Sequence, residues 1–261
     1  MSELYSEKYF KSEDSKWLVL LHGFAGSVGM WKRQTDKLKE HFNLLIIDLP
    51  GHGKSKGYLH KNKIKSFSQI GEMIVDKMKE ESVHKATFLC LSLGSMVFAG
   101  ILKTHPEVVE GAVLCGAVAG VNPIITLAVN IAVRFIRFIP YMTLMKVCSF
   151  AILPKKSHKR IRKLFIFSAK RLKALEFKAW CKLSVKDLKI LKQLNNVKEK
   201  ILFISGDEDY MFLSGVKNKV SKLFNSNLKV IDKCGHVCNI QKYEEVNDII
   251  LSWLNNELLM A

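Results

Sequence analysis

Acidic residues are scarce in the middle of this chain. From Val121 to Asn195 there are 17 lysines and arginines against only Glu176 and Asp187, so this stretch supplies +15 of a total net charge of +17. The flanks are close to neutral, which excludes a uniformly basic protein and confines the electrostatic question to one segment. A basic-then-apolar leader is also missing. Met1-Ser2-Glu3-Leu4-Tyr5-Ser6-Glu7 does not have the layout of a secretory signal, and the six cysteines are therefore expected as reduced thiols in a cytoplasm. Cys234 and Cys238 flank His236 at a spacing that fits no usual zinc pattern, so neither a metal nor another cofactor is expected. No recognised nucleic-acid motif accompanies the basic stretch, and nucleic acid is not expected as a partner. The charge-free run Gly111 to Val133 is 23 residues long but contains Gly116, Gly120 and Asn122-Pro123, which argues against a transmembrane helix.

What is present is a set of short apolar runs separated by helical patterns. With 261 residues and 48% hydrophobic content the chain can bury one large core. Strands are expected at Trp17–Leu21, Ala86–Cys90, Val109–Leu114, Ile201–Ser205 and Leu228–Ile231. A helix from Gly94 to Thr104 should stop at His105-Pro106, and an amphipathic helix should close the chain from about Tyr243 to Leu258.

One serine stands out against this background. Ser92, in Cys90-Leu91-Ser92-Leu93-Gly94, has small residues at both second neighbours and lies between an expected strand and an expected helix. A serine on a sharp strained turn needs such neighbours, and the arrangement reads as a nucleophile elbow. The motif alone is weak, but the chain goes on to supply an oxyanion hole, an acid and a histidine, with acid and base following the serine in that order.

The strand Trp17–Leu21 runs into His22-Gly23-Phe24-Ala25-Gly26-Ser27, where the Phe24 amide, with the Leu93 amide after the nucleophile, would bind a developing oxyanion. Asp207, Glu208 and Asp209 compete as the acid after Ile201–Ser205; the segment Cys115–Ala119 after the preceding strand holds no carboxylate. Of eight histidines, His41, His60, His84, His105 and His158 lie in polar or helix-end contexts. His236 sits in a loop after the last expected strand, from which it can reach the elbow across the carboxyl edge of a parallel sheet.

At this point the chain resembles the α/β-hydrolase family, in its capped single-domain form. Asp48-Leu49-Pro50-Gly51-His52-Gly53-Lys54-Ser55 looks like the loop after that family's fourth strand, with Asn43–Ile47 as that strand. The resemblance implies a mostly parallel central sheet flanked by helices, a helical cap inserted before the last strands, and a triad of Ser92, Asp209 and His236, with Asp207 as the lesser alternative. It also implies loop-shaping roles for His22 and His52. Cys90 stands where the elbow often has glycine, and the segment before Trp17 is too short for a long leading hairpin, leaving something like Leu4 to Phe10. The expected organisation is a core over residues 1–118 and 196–261 with a basic helical cap over 119–195.

Val121 to Leu153 is strongly apolar; beyond it Ile161, Leu164, Phe165, Leu172 and Leu175 recur at helical spacing among lysines and arginines. Three to five helices are expected here, the last begun by a Ser184/Asp187 capping box and running through Leu194. An apolar surface beside a basic one predicts a peripheral contact with anionic membrane. The resulting expectation is a carboxylic ester hydrolase, lipase-like toward a small hydrophobic ester. Thioesterase, acyltransferase and carbon–carbon hydrolase or lyase chemistry are alternatives on the same triad, and a non-catalytic membrane-surface protein is the alternative of another class.

Overall fold

The computed structural model describes residues 4–55, 64–120, 131, 133–136 and 138–258. His60 and, in the apolar stretch after Gly120, residues 121–130, 132 and 137 lie outside them. Seven strands form one sheet: β1 (Ser6–Tyr9), β2 (Trp17–Leu21), β3 (Asn43–Ile47), β4 (Ala86–Leu91), β5 (Val109–Cys115), β6 (Ile201–Gly206) and β7 (Ser226–Ile231), in the spatial order β1-β3-β2-β4-β5-β6-β7. Only β1 is antiparallel, paired with β3 from Ser6 opposite Ile47 to Tyr9 opposite Leu44. The expected short leading segment is thus a single four-residue strand on the sheet edge.

The parallel strands read as unbroken apolar runs because helices cover both faces. Every residue of β3 and β4 is buried. One face packs on α2 (Phe67–Glu80) and α3 (Leu93–Thr104), the other on α1 (Lys32–Leu38) and α9 (Tyr243–Leu258), with α7 (Leu213–Val220) and the one-turn α8 (Cys238–Gln241) beside the last strands. The approach of α2 to α3 is set by two glycines. A Cβ on Gly100 would lie 2.1 Å from the Phe67 carbonyl oxygen, and one on Gly71 would lie 2.7 Å from backbone atoms at Gly100 and Ile101. Larger residues would push the helices, and with α3 the elbow, away from the sheet.

Between β5 and β6 the described residues form α4 (Tyr141–Ile152), α5 (Lys159–Ala169) and α6 (Ala174–Lys186), with a 3₁₀ turn, Lys156–His158, between the first two and a 3₁₀ stretch, Leu188–Asn196, after the last. The expected Ser184/Asp187 capping box is absent. Ser184 lies inside α6 and lines a cavity, and the Asp187 carboxylate accepts a hydrogen bond from the Phe67 N–H at 2.8 Å. Asp187 therefore serves the start of α2, 120 residues away, where Ser66 also caps by accepting from the Gln69 N–H. Among the described residues no helix is long and apolar enough to cross a membrane.

Candidate active site

Strand β4 ends at Leu91 and α3 begins at Leu93, so Ser92 alone makes the turn, with φ 49° and ψ −109°. For a non-glycine residue this is strained backbone, held because both flanking elements are buried in the core. Gly94 shows why the second neighbour is small: a Cβ there would lie 2.5 Å from the Leu21 carbonyl oxygen at the end of β2. The turn puts Ser92 Oγ at the carboxyl edge of the sheet.

Two later strands end at the same edge. After β6, Asp209 is fully buried, and its Oδ2 lies 2.8 Å from His236 Nδ1. The other ring nitrogen, His236 Nε2, lies 2.8 Å from Ser92 Oγ. The imidazole is fixed from below by Gly116 at the end of β5, where φ is +51° and a Cβ would lie 2.4 Å from the His236 carbonyl oxygen, and is covered by the Phe212 ring at 4.9 Å between centroids. Asp209 Oδ1 accepts from the Phe212 N–H at 3.3 Å, which orients the carboxylate.

The two neighbouring carboxylates that compete with Asp209 in the sequence are engaged elsewhere. Asp207 Oδ1 accepts from the Cys234 N–H at 3.0 Å, and that bond holds its carboxyl below the usual range. Glu208 accepts from Lys155 Nζ at 2.6 Å and pairs with His158 Nε2 at 2.7 Å; the Lys155 ammonium in particular lowers the Glu208 carboxyl. His158 does sit at a helix end, as expected, and there it is fully buried, tying the start of α5 to the loop that carries Asp209. Nothing local in the sequence signals a partner 50 residues away.

On the other side of Ser92, the β2–α1 loop forms a turn in which the Gly26 N–H bonds to the Gly23 carbonyl at 3.0 Å and Ala25 has φ 59°. Phe24 occupies the second position of this turn, whose N–H the turn does not use. The Leu93 N–H lies in the first turn of α3, where amides have no intrahelical acceptor and the helix dipole favours negative charge. His22 and His52 build the loops behind. His22 Nε2 accepts from the Leu49 N–H at 2.9 Å and His52 Nε2 from the Ala25 N–H at 3.1 Å. Burial pushes both imidazoles below their ordinary value, so both rings are neutral acceptors. Asp48 completes the loop by accepting from the Val28 and Lys54 N–H groups, each at 2.7 Å.

With this geometry in place, the model of the family described as "Serine aminopeptidase, S33" matches residues 12–239. The chain belongs to this family of α/β-hydrolase enzymes. The fold of this α/β-hydrolase is similar to that of an enol-lactonase from Burkholderia xenovorans LB400, with a TM-score of 0.82 and 17% identity over 97% of this chain and 96% of that one. It is equally similar to an esterase (EaEST) from Exiguobacterium antarcticum, with a TM-score of 0.82 and 17% identity over 97% and 96% of the two chains. MenH from S. aureus gives a TM-score of 0.83 and 16% identity over 97% and 98%.

Above Ser92 the α/β-hydrolase has a partly open cavity of about 290 Å³, with Gly23, Phe24 and Leu91 toward the sheet. Its far wall comes from the segment between β5 and β6, including Ile136, Leu144, Ile152, Phe165 and Phe177. Cys148 and Cys181 also face it, and burial pushes both thiols up, so they act as small apolar groups rather than nucleophiles. The segment is anchored over the site by Trp180, whose indole N–H donates to the Pro50 carbonyl at 3.0 Å, and by a T-shaped contact of Phe177 with Phe24 at 5.2 Å.

Proposed function

We propose that this α/β-hydrolase cleaves a carboxylic ester with a hydrophobic acyl or alkyl part through an acyl-enzyme on Ser92, the helices between β5 and β6 acting as the cap that shapes the site. One observation carries the reading: Asp209, His236 and Ser92 are linked by two 2.8 Å contacts, and the serine opens into an apolar cavity. His236 Nδ1–H donates to Asp209, which leaves Nε2 as the acceptor of the Ser92 proton.

As Ser92 Oγ bonds to the ester carbonyl carbon, its proton passes to His236 Nε2 and the carbonyl oxygen becomes an oxyanion. The Phe24 and Leu93 N–H groups donate to that oxygen. Collapse breaks the carbon–oxygen bond to the alcohol, which leaves with the proton from His236 Nε2. Water then attacks the acyl-enzyme, its proton again taken by His236, and the acid departs as Ser92 is regenerated. The apolar cavity holds the acyl or alkyl chain by removing its surface from water, at roughly 0.8 kcal/mol per methylene.

A series of chromogenic esters of increasing acyl length, assayed with the wild type and Ser92→Ala, tests the reading. Wild-type kcat/KM should rise with chain length until the cavity is filled, and Ser92→Ala should retain only a residual acceleration of roughly 10³- to 10⁴-fold over water. Comparable turnover by the two proteins would refute the assignment.

A further inference from the structure

The outer face of the segment between β5 and β6 is as unusual as the face toward Ser92. Among the described residues, twelve large hydrophobic side chains are exposed, and eight of them lie between Ile131 and Leu175. They follow a pattern used three times: a basic residue, an apolar residue, and a phenylalanine three positions later. The three instances are Arg134-Phe135 with Phe138, Lys146-Val147 with Phe150, and Lys163-Leu164 with Phe167. All nine residues are exposed, the six apolar ones between 44% and 68%. In α4 and α5 the i, i+3 spacing puts Val147 with Phe150, and Leu164 with Phe167, on one helix face beside the cation; Phe135 and Phe138 lie in the turns just before α4. Other residues of the same segment, Ile136, Leu144 and Phe165 among them, wall the cavity.

The charge of this face has one sign. No aspartate or glutamate occurs from Val121 to Leu175. The segment's two acidic residues point inward: Glu176 is 2% exposed and packs where a Gly51 Cβ would be, and Asp187 is bonded to the Phe67 N–H. The apolar rings are also held in place by cations, with the Arg162 guanidinium 4.4 Å from the Phe150 ring centroid and that of Arg171 5.0 Å from Phe167.

We propose that this outer face docks on an anionic lipid bilayer, the phenylalanines, Val147 and Leu164 entering the headgroup–acyl boundary while Arg134, Lys146 and Lys163 reach lipid phosphates. A basic stem beside an inserted ring is the arrangement that satisfies both layers of a bilayer surface. A second copy of the chain is the wrong occupant, because two faces without a carboxylate repel each other. Docked this way, one layer of helices separates the bilayer from the cavity above Ser92, so a lipid-like substrate would be presented at the cap.

Flotation of the Ser92→Ala protein with vesicles tests docking without turnover, so its outcome is independent of the esterase reading. Vesicles of phosphatidylcholine alone are compared with vesicles containing roughly one-third phosphatidylglycerol, at about 0.1 M and about 0.5 M salt. Binding should require the anionic lipid and weaken at high salt. Adding Arg134→Gln, Lys146→Gln and Lys163→Gln should lower partitioning on the order of 100-fold, at roughly fivefold per charge. Adding Phe135→Ser, Phe150→Ser and Phe167→Ser instead should lower it by about tenfold or more, with an unchanged thermal midpoint as the folding control. Equal binding to both vesicle types, indifference to both triple variants, or retention on a single-stranded oligonucleotide with none on vesicles would overturn the proposal.

Discussion

Glu208 and His158 form a buried contact of 2.7 Å that couples the start of α5 to the residue immediately before Asp209. His158 Nδ1 is within 3.3 Å of the Lys155 N–H as its acceptor, so Nε2 carries the proton that Glu208 accepts. The same carboxylate accepts from Lys155 Nζ, which is half exposed. Glu208→Ala would leave a buried donor unpaired, at a cost of about 1–3 kcal/mol. Lys155→Met should cost under about 1 kcal/mol, because that cation is solvated. Urea unfolding of both variants checks the order.

Asp209 and Asp207 are separated by function in a second pair of variants. Asp209→Asn replaces the group that holds His236 Nδ1–H and offsets the imidazolium charge, and kcat should fall on the order of 10⁴-fold with KM little changed. Asp207→Asn weakens contacts away from His236, chiefly the bond from the Cys234 N–H, and kcat should stay within about threefold of wild type while stability falls by about 1 kcal/mol. Steady-state ester kinetics on both proteins distinguishes the two roles.

The elbow itself is tested at Gly94. An alanine there meets the Leu21 carbonyl oxygen at 2.5 Å and must push α3 from the end of β2. Gly94→Ala should destabilise by about 1–3 kcal/mol through overpacking and reduce kcat as Ser92 moves from His236. Thermal unfolding and turnover, measured on the same preparation, should fall together.

Acid should weaken the fold through His22 and His52. Each has an ordinary value of 6.5 and is pushed below it when buried, so between the two values the unfolded chain binds the extra proton. Stability from these rings is therefore fully present above about pH 6.5 and lost as pH falls below it, by up to about 1.4 kcal/mol per pH unit for each ring. Urea midpoints at pH 7.5, 6.5 and 5.5 should show little change over the first interval and a drop over the second; His52→Asn should remove part of that drop.

Much of this architecture is legible in the sequence because its strands are buried on both faces. Runs such as Asn43–Ile47 and Ile201–Gly206 have no polar alternation to blur their ends, and Asp48 in one case and Gly206-Asp207 in the other mark where they stop. Ser92 and His236 are singled out by chain order, because each lies in a turn or loop after a strand and so comes to one edge of the sheet; Asp209, three residues beyond β6, is preferred to Asp207 only through the family resemblance. Contacts made across the fold were not legible. Asp187 looks like half of a local capping box but serves Phe67, and the helix-end position of His158 gives no sign of its buried partner Glu208. In both cases the partner is set by how the helical segment lies on the core, which no window of neighbouring residues contains.

The central claim is that Ser92 is an activated nucleophile, and intact mass after exposure to a reactive fluorophosphonate tests it most directly. The account predicts a single adduct on the wild type and none on Ser92→Ala. An unmodified wild type, or an adduct that persists in Ser92→Ala, would contradict it.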